Sequence, residues 1–316
     1  MTSVSKPCCT PTQDRRDTAA AGAPLRRAGV LPDFDWRALP GGAFLMGNSE
    51  AGRFAGDGEG PQREVMVSPF AIAAHTVTND QFAAFATATG YVTQAERDGW
   101  SSVFHMLLSP LEKRKVRQVP RETPWWYPVE GASWNRPEGP SSAIEGRSDH
   151  PVVHVSWDDA HAYCRWAGVS LPTEAQWEHA ARGGLDAALY PWGDELTPGG
   201  EHRCNIWQGR FPTLNTAEDG HVGTAPAMAY APNGFGLHNA VGNVWQWCAD
   251  DFSPDYHRIT ASSDPFNRTG SDVKSMRGGS FLCHASYCER YRCAARAGND
   301  RRTSTSNIGF RVVATF

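Results

Sequence analysis

Beyond residue 185 the chain loses helical periodicity, and segments dense in Gly, Pro, Asn and Trp run almost to its end. With 12 Trp, 31 Gly and 22 Pro in 316 residues, such a domain cannot bury layered helices. Its core must instead be built from large rings that pin irregular backbone. Loops without a hydrogen-bonded ladder satisfy their polar groups through side chains, water or bound ions, so metal-stabilised loops are one expectation. Regular structure should be sparse until Gly309-Phe-Arg-Val-Val-Ala-Thr-Phe316, which reads as a closing strand.

Ahead of that region the signals are conventional. Leu39–Gly47 and Arg63–Ile72 alternate between Gly/Pro bounds and predict two short strands. Thr78-Asn-Asp-Gln81 and Thr173-Glu-Ala-Gln176 match capping boxes, with Gly90 and Gly183-Gly184 as stops, and Ser156-Trp-Asp-Asp159 opens a third helix ending near Gly168. Cys164 falls on the apolar face of that third helix and reads as core. Residues 1–34 lack apolar periodicity and read as a disordered leader, with Cys8-Cys9 as two exposed, functionally neutral thiols; a single domain spans 35–316.

Bulk properties narrow the function. The formal net charge is −4 and no Lys/Arg run stands out, so neither nucleic acid nor an anionic membrane is an expected partner. No stretch is apolar enough to span a bilayer and residues 1–24 hold no apolar signal core, which places the protein in the cytoplasm. Eight unevenly spaced cysteines form neither a disulfide framework nor paired CxxC zinc units, and mostly reduced thiols are expected.

Arg277-Gly-Gly-Ser-Phe-Leu-Cys283-His-Ala-Ser-Tyr-Cys288-Glu-Arg-Tyr-Arg-Cys293 sets two cysteines among glycines, hydroxyls, aromatics and arginines. Glycine permits close backbone approach, aromatics exclude water, and guanidinium groups favour the thiolate that attacks or ligates. The plainer reading makes Cys283 and Cys288 buried small hydrophobes. Two oxygen-rich clusters follow the pattern of hard-cation ligands: Asn205–Gly209 with Asn215–His221, and Asn239–Gln246, which carries no carboxylate. Asx-rich turns use the same residues. HExxH, GxSxG and a P-loop are absent, leaving the cysteine pair as the candidate soft-metal or redox centre.

Leu39–Gly47, His150–Trp157, Leu171–Glu178, Ala180–Gly184 and Gly309–Arg311 resemble the formylglycine-generating enzyme (sulfatase-modifying factor) family. Narrower matches are Cys204–Pro212, Asn215–Gly220, Ala231–Leu237 and Gly278–Arg292. The resemblance implies an α+β, loop-rich variant of the C-type-lectin-like fold with little regular secondary structure, stabilised by calcium. It implies an oxidase in which Cys283 and Cys288 bind copper(I), a substrate cysteine joins them, and O2 is activated there. Hydrogen abstraction from the substrate's β-carbon would give a thioaldehyde that hydrolyses to Cα-formylglycine, with Ser280 holding oxygen or water nearby. The implied substrate is a Cys-x-Pro-x-Arg segment of an unfolded or nascent sulfatase, and the enzyme is expected to act as a monomer.

By the same resemblance one calcium would take Asn205, the Ile206 carbonyl, Asp219 and the His221 carbonyl. The other would take Asn239, the carbonyls of Gly242 and Val244, and Gln246, where relatives more often carry Glu. Two disulfides of secreted animal members would pair Cys164 with position 313 and Cys293 with position 181, here Val313 and Ala181. Arg301-Arg302 stand where relatives often have Pro-Asp, near the expected peptide groove. Competing readings are a non-catalytic lectin-like binding module, a sulfoxide-synthase-like oxidase, and a dithiol/disulfide redox protein.

Overall fold

The computed structural model describes Pro11, residues 33–49 and residues 54–314; Cys8-Cys9 lie outside the described residues. Three anticipated helices form at Asn79–Thr89, Trp157–Ala167 and Glu174–Arg182. The caps Thr78, Ser156 and Thr173 accept the N–H of residue 81, 159 or 176, whose side chains accept the caps' own N–H groups. Gly90, Gly168 and Gly183 then end the helices in left-handed conformation, as C-caps require.

The strand expectations need correction. Each N-terminal strand is two: Trp36–Leu39 and Gly42–Met46, then Arg63–Val67 and Phe70–Ala73. Gly41 causes the first break, for its φ is 70° and a Cβ there would lie 2.1 Å from the Val67 carbonyl oxygen. The inner halves, Gly42–Met46 and Arg63–Val67, pair with each other, while Trp36–Leu39, Phe70–Ala73 and Val313–Ala314 make a three-stranded antiparallel sheet.

The C-terminal half is sparse in regular structure, as expected, yet it is not without a sheet. It builds a four-stranded sheet in the order Arg296–Asp300, Val273–Arg277, Trp245–Asp251, Ile308–Phe310, antiparallel except for the last pair. Trp245–Asp251 and Ile308–Phe310 are almost wholly buried on both faces, which erases the two-residue alternation that would have revealed them.

The ring-built core is as expected. Trp126, Trp177, Trp207, Trp245 and Trp247 are among the largest fully buried side chains. Tyr163 joins the helices Asn79–Thr89 and Trp157–Ala167 to the sheet, with ring centroids 5.5 Å from Phe85 and 5.3 Å from Phe310. Phe34, inside the expected leader, also enters this core, 5.0 Å from Trp36, and Pro11 is buried with its carbonyl accepting from Asn299 Nδ2 at 3.4 Å.

Candidate functional site

The strand Val273–Arg277 ends at Gly278-Gly279, and the chain turns there into the cysteine segment. Both glycines have positive φ, and a Cβ would lie 2.8 Å from the Ala240 carbonyl oxygen at Gly278 and 2.7 Å from that of Arg290 at Gly279. The backbone can cross itself here only without side chains. Cys283 N–H donates to the Ser280 carbonyl at 2.9 Å, and the His284 carbonyl collects the N–H groups of Tyr287, Cys288 and Glu289. One tight turn therefore separates Cys283 from Cys288, both buried. Ser280 N–H points at Cys283 Sγ at 3.4 Å, a contact that favours negative sulfur.

The Ser280 hydroxyl is held on two sides. It accepts from Asn307 Nδ2 at 2.9 Å and from Leu282 N–H at 3.3 Å, and both Ser280 and Asn307 are buried. Ser280 and the two cysteines thus converge in one segment, as read from sequence. Asn307, absent from that reading, comes from the turn before the strand Ile308–Phe310.

The arginines of this segment do other work than expected. Arg290 forms a buried ion pair with Asp57 at 2.6 Å, and Arg292 one with Glu59 at 2.6 Å. Burial pushes the Asp57 carboxyl up against the stabilising effect of Arg290. Arg277 reaches Glu178 at 2.7 Å and Glu174 at 3.0 Å; Arg296 takes Glu174 and Arg182 takes Glu178. These pairs tie the helix Glu174–Arg182 and the segment around Asp57 to both ends of the cysteine turn. They anchor the site, each guanidinium matched by a carboxylate.

A wall of half-buried rings flanks the turn. Tyr287 stacks on Phe211 at 4.8 Å and meets Trp125 edge-on at 5.3 Å, while Trp125 and Phe211 are themselves 5.3 Å apart. Beside the turn lies a cavity of about 250 Å³ whose lining includes Arg203, Trp207, Gln208, His284, Ala285 and Tyr291. That volume suits one side chain. Among the described residues no group of three or more His, Cys, Asp or Glu converges. The donor set at Cys283 and Cys288 is therefore two thiols with an open remainder, which fits a soft monovalent ion such as copper(I) awaiting a further thiolate.

The two oxygen clusters fare differently as cation sites. In the first, Asn205 Oδ1 is buried with no hydrogen-bond partner among the described residues, an electron-pair donor left for a cation. Asp219 is beside it, accepting only from N–H groups: Ile206 at 3.0 Å, Gln208 Nε2 at 2.9 Å and His221 at 3.0 Å. Gln208 Nε2 also points at the Ile206 carbonyl, but that amide's oxygen accepts only a long contact from Asp219 N–H at 3.5 Å, so the amide is free to turn away from a cation as Gln246 is not; the cluster fits calcium.

In the second, Gln246 is fully buried and its orientation is forced. One end of the amide faces Trp177 Nε1 at 2.9 Å and Arg311 Nε at 3.1 Å, both donors only, so that end is the oxygen. The NH2 then points at the carbonyls of Asn239 and Ala240, 3.2 Å from each. An NH2 group cannot ligate a cation. Although Asn239 Oδ1 is buried without a partner, Gln246 does not fit as a ligand, and with Gly242 and Val244 the cluster holds no carboxylate.

Cys164 and Val313 line one groove, and Cys293 Sγ lies 3.9 Å from the Ala181 carbonyl oxygen, so the positions expected to be opposed are together. Cys164, Cys204, Cys248 and Cys293 are free thiols, and burial pushes the Cys293 thiol up to about 12. Arg301 is taken up by Asp158 and Asp272 and packs over Trp157, while Arg302 binds Asp300. Neither arginine is left as unbalanced positive charge.

Comparison with known proteins bears on what this arrangement is. The sulfatase-modifying factor enzyme 1-like domain matches residues 35–316. A formylglycine-generating enzyme of Thermomonospora curvata is 57% identical over 280 residues, covering 88% of this chain and 92% of that protein. A mouse protein named inactive Cα-formylglycine-generating enzyme 2 is 44% identical over 281 residues, covering 88% and 84%, so likeness alone does not assign turnover. Among solved structures, PvdO of Pseudomonas aeruginosa has a TM-score of 0.64 at 23% identity, covering 89% of this chain and 94% of that one, a likeness of fold. With the domain matched from residue 35 to the C-terminus, the chain belongs to the sulfatase-modifying factor enzyme 1-like family.

Proposed function

We propose that this protein oxidises a cysteine in a Cys-x-Pro-x-Arg segment of a sulfatase to Cα-formylglycine, using O2. The observation that carries the reading is the buried Cys283–Cys288 turn, with the Ser280 hydroxyl held beside it by Asn307 and a ring wall along its edge. Copper(I), held by the two thiolates, would supply O2 activation and a third position for the substrate sulfur.

The remaining steps fall to the chain. Trp125, Phe211 and Tyr287 offer apolar faces to an extended peptide and exclude water from the sulfur. The cavity at His284 and Ala285 has room for a neighbouring substrate side chain. Ser280, oriented by Asn307 and Leu282 N–H, keeps its own proton available toward the reacting oxygen. Overall, the substrate's CH2–SH group loses two electrons and two hydrogens, one from the β-carbon and one from sulfur, to give a thioaldehyde. Water replaces sulfur, which leaves as hydrogen sulfide, and reduction of O2 to water draws its two further electrons from an external thiol.

Calcium at Asn205, Ile206, Asp219 and His221 would brace the loop that carries Trp207 into the wall. Free thiols at Cys164 and Cys293 support action in a reducing compartment such as the cytoplasm, and no helix among the described residues is long and apolar enough to cross a membrane. One chain carries every group invoked, so a monomer suffices.

The deciding experiment is aerobic incubation of the copper(I)-loaded protein with a Cys-x-Pro-x-Arg peptide, with mass spectrometry and hydrazide capture of the aldehyde. Copper-dependent aldehyde is expected. Bound copper without aldehyde removes the oxidase reading for this substrate, and absence of copper binding leaves the lectin-like binding module.

A further inference from the structure

A count of residues 113–121 overturns the reading that no basic run stands out. Lys113, Arg114, Lys115, Arg117 and Arg121 fall within nine residues and no acid interrupts them, in a chain of net charge −4. A solvated face usually alternates sign; this one does not. Arg114, Lys115, Arg117 and Arg121 are exposed, and among the described residues only Lys115 has an ion pair, with Glu112 at 2.8 Å.

The strip lies against the site. Three residues separate Arg121 from Trp125, so their Cα atoms are within about 14 Å, and Trp125 meets Tyr287, the neighbour of Cys288. At its other end Lys113 is close enough to His105 to help hold that imidazole's pKa down, behind the larger effect of burial. His105 in turn bonds the Pro212 carbonyl at 3.0 Å, next to Phe211 in the ring wall. Between strip and strand Trp126–Glu130 runs a groove of about 1050 Å³ with Arg114, Lys115 and Arg117 in its lining. Its acids are Asp98, Glu112 and Glu130, of which Glu112 is buried against Lys115 and Ser141 and Asp98 accepts from Gln94 Nε2.

We propose that this basic strip selects client polypeptides carrying Asp or Glu beside the target cysteine, the acidic flank lying over Arg114, Arg117 and Arg121 while the cysteine reaches the Cys283–Cys288 turn. The proposal rests on the oxidase reading and adds the charge of the substrate. The strip meets the wall where a peptide would leave the turn, and oppositely charged segments would be held there at low ionic strength.

The test compares two peptides with one Cys-x-Pro-x-Arg core, flanked by three Asp/Glu or by three Ser. We expect a KM about tenfold lower for the acidic peptide, as a few exposed ion pairs allow, with kcat unchanged and the gap closing in 0.5 M salt, about 4 Å of screening length. The variant Arg114→Ser/Arg117→Ser/Arg121→Ser should lose the gap while keeping its kinetics on the neutral peptide. Equal KM values for the wild type, or a gap surviving the triple substitution, overturn the proposal. Fluorescence anisotropy of both peptides, with a random single-stranded DNA as competitor, tests the strip independently of turnover. Acidic-peptide preference without aldehyde would retain the strip and sink the oxidase reading, whereas DNA binding without peptide preference would sink the strip.

Discussion

The Gln246 amide oxygen accepts from Arg311 Nε at 3.1 Å in the centre of the fold, and among the described residues no carboxylate pairs with Arg311. Its other donors go to the carbonyls of Ala73 and His238, and burial pushes its pKa down to about 9. The same amide donates to the carbonyls of Asn239 and Ala240. A glutamate at 246 would satisfy Trp177 and Arg311 equally well but would turn a second oxygen on those carbonyls, an arrangement that only a cation between them relieves.

The second calcium is therefore expected to be missing from this protein. Metal analysis after exhaustive dialysis against micromolar calcium should return one ion per chain, and Gln246→Glu should return two. A second ion in the wild type would show that the amide yields to metal.

Cys283→Ser and Cys288→Ser should each reduce aldehyde formation at least about a thousandfold, since a metal bound through two thiolates is lost with either. Neither should move the melting temperature by more than a few degrees, because Ser is close in size to Cys. Near-normal turnover in either variant, measured with the copper-loaded protein and peptide, would remove the two-thiolate mechanism.

What the sequence reveals divides by the range of the interaction. Helix caps at Thr78, Ser156 and Thr173 are local, and the Cys283–Cys288 spacing with its glycines is contained in a short segment, so both can be read along the chain. Asp57 and Glu59 cannot, because their partners Arg290 and Arg292 lie 233 residues away and nothing in either segment announces the other. Asn307 is hidden for the same reason, as are Trp125 and Phe211, which join Tyr287 only in three dimensions. The central sheet is obscured by burial on both faces, and the forced orientation of Gln246 needs Trp177 and Arg311 in place before it can be deduced.

Ser280→Ala should lower kcat about ten- to a hundredfold with KM for the peptide little changed, because the hydroxyl faces the reacting atoms and not the peptide-binding rings. Asn307→Ala leaves the hydroxyl in place but frees it to rotate, so its loss of kcat should be smaller and should add little to that of Ser280→Ala in the double variant. Full additivity would mean that Asn307 acts elsewhere than through Ser280.

Acid should weaken the fold through His257. Its imidazole is buried, neither ring nitrogen has a hydrogen-bond partner among the described residues, and burial drives its pKa down to about 4. The unfolded chain holds this proton below about pH 6.5 while the folded one resists it until about 4, so the unfolded state binds more protons in between. Stability from the neutral ring is thus complete above pH 6.5 and drains as pH falls towards 4, by up to about 3 kcal/mol at about 1.4 kcal/mol per unit. Glu174 acts in the same direction at lower pH: Arg296 and Arg277 outweigh its desolvation and hold it at about 2, so its contribution is lost below the usual carboxylate range. Chemical denaturation followed by tryptophan fluorescence should show this slope, and His257→Gln, lower in stability at pH 7.5, should flatten it between pH 6.5 and 4. An unchanged slope in that variant would assign the acid sensitivity to other groups, among them His75, His150 and His179, whose pKa values burial also lowers.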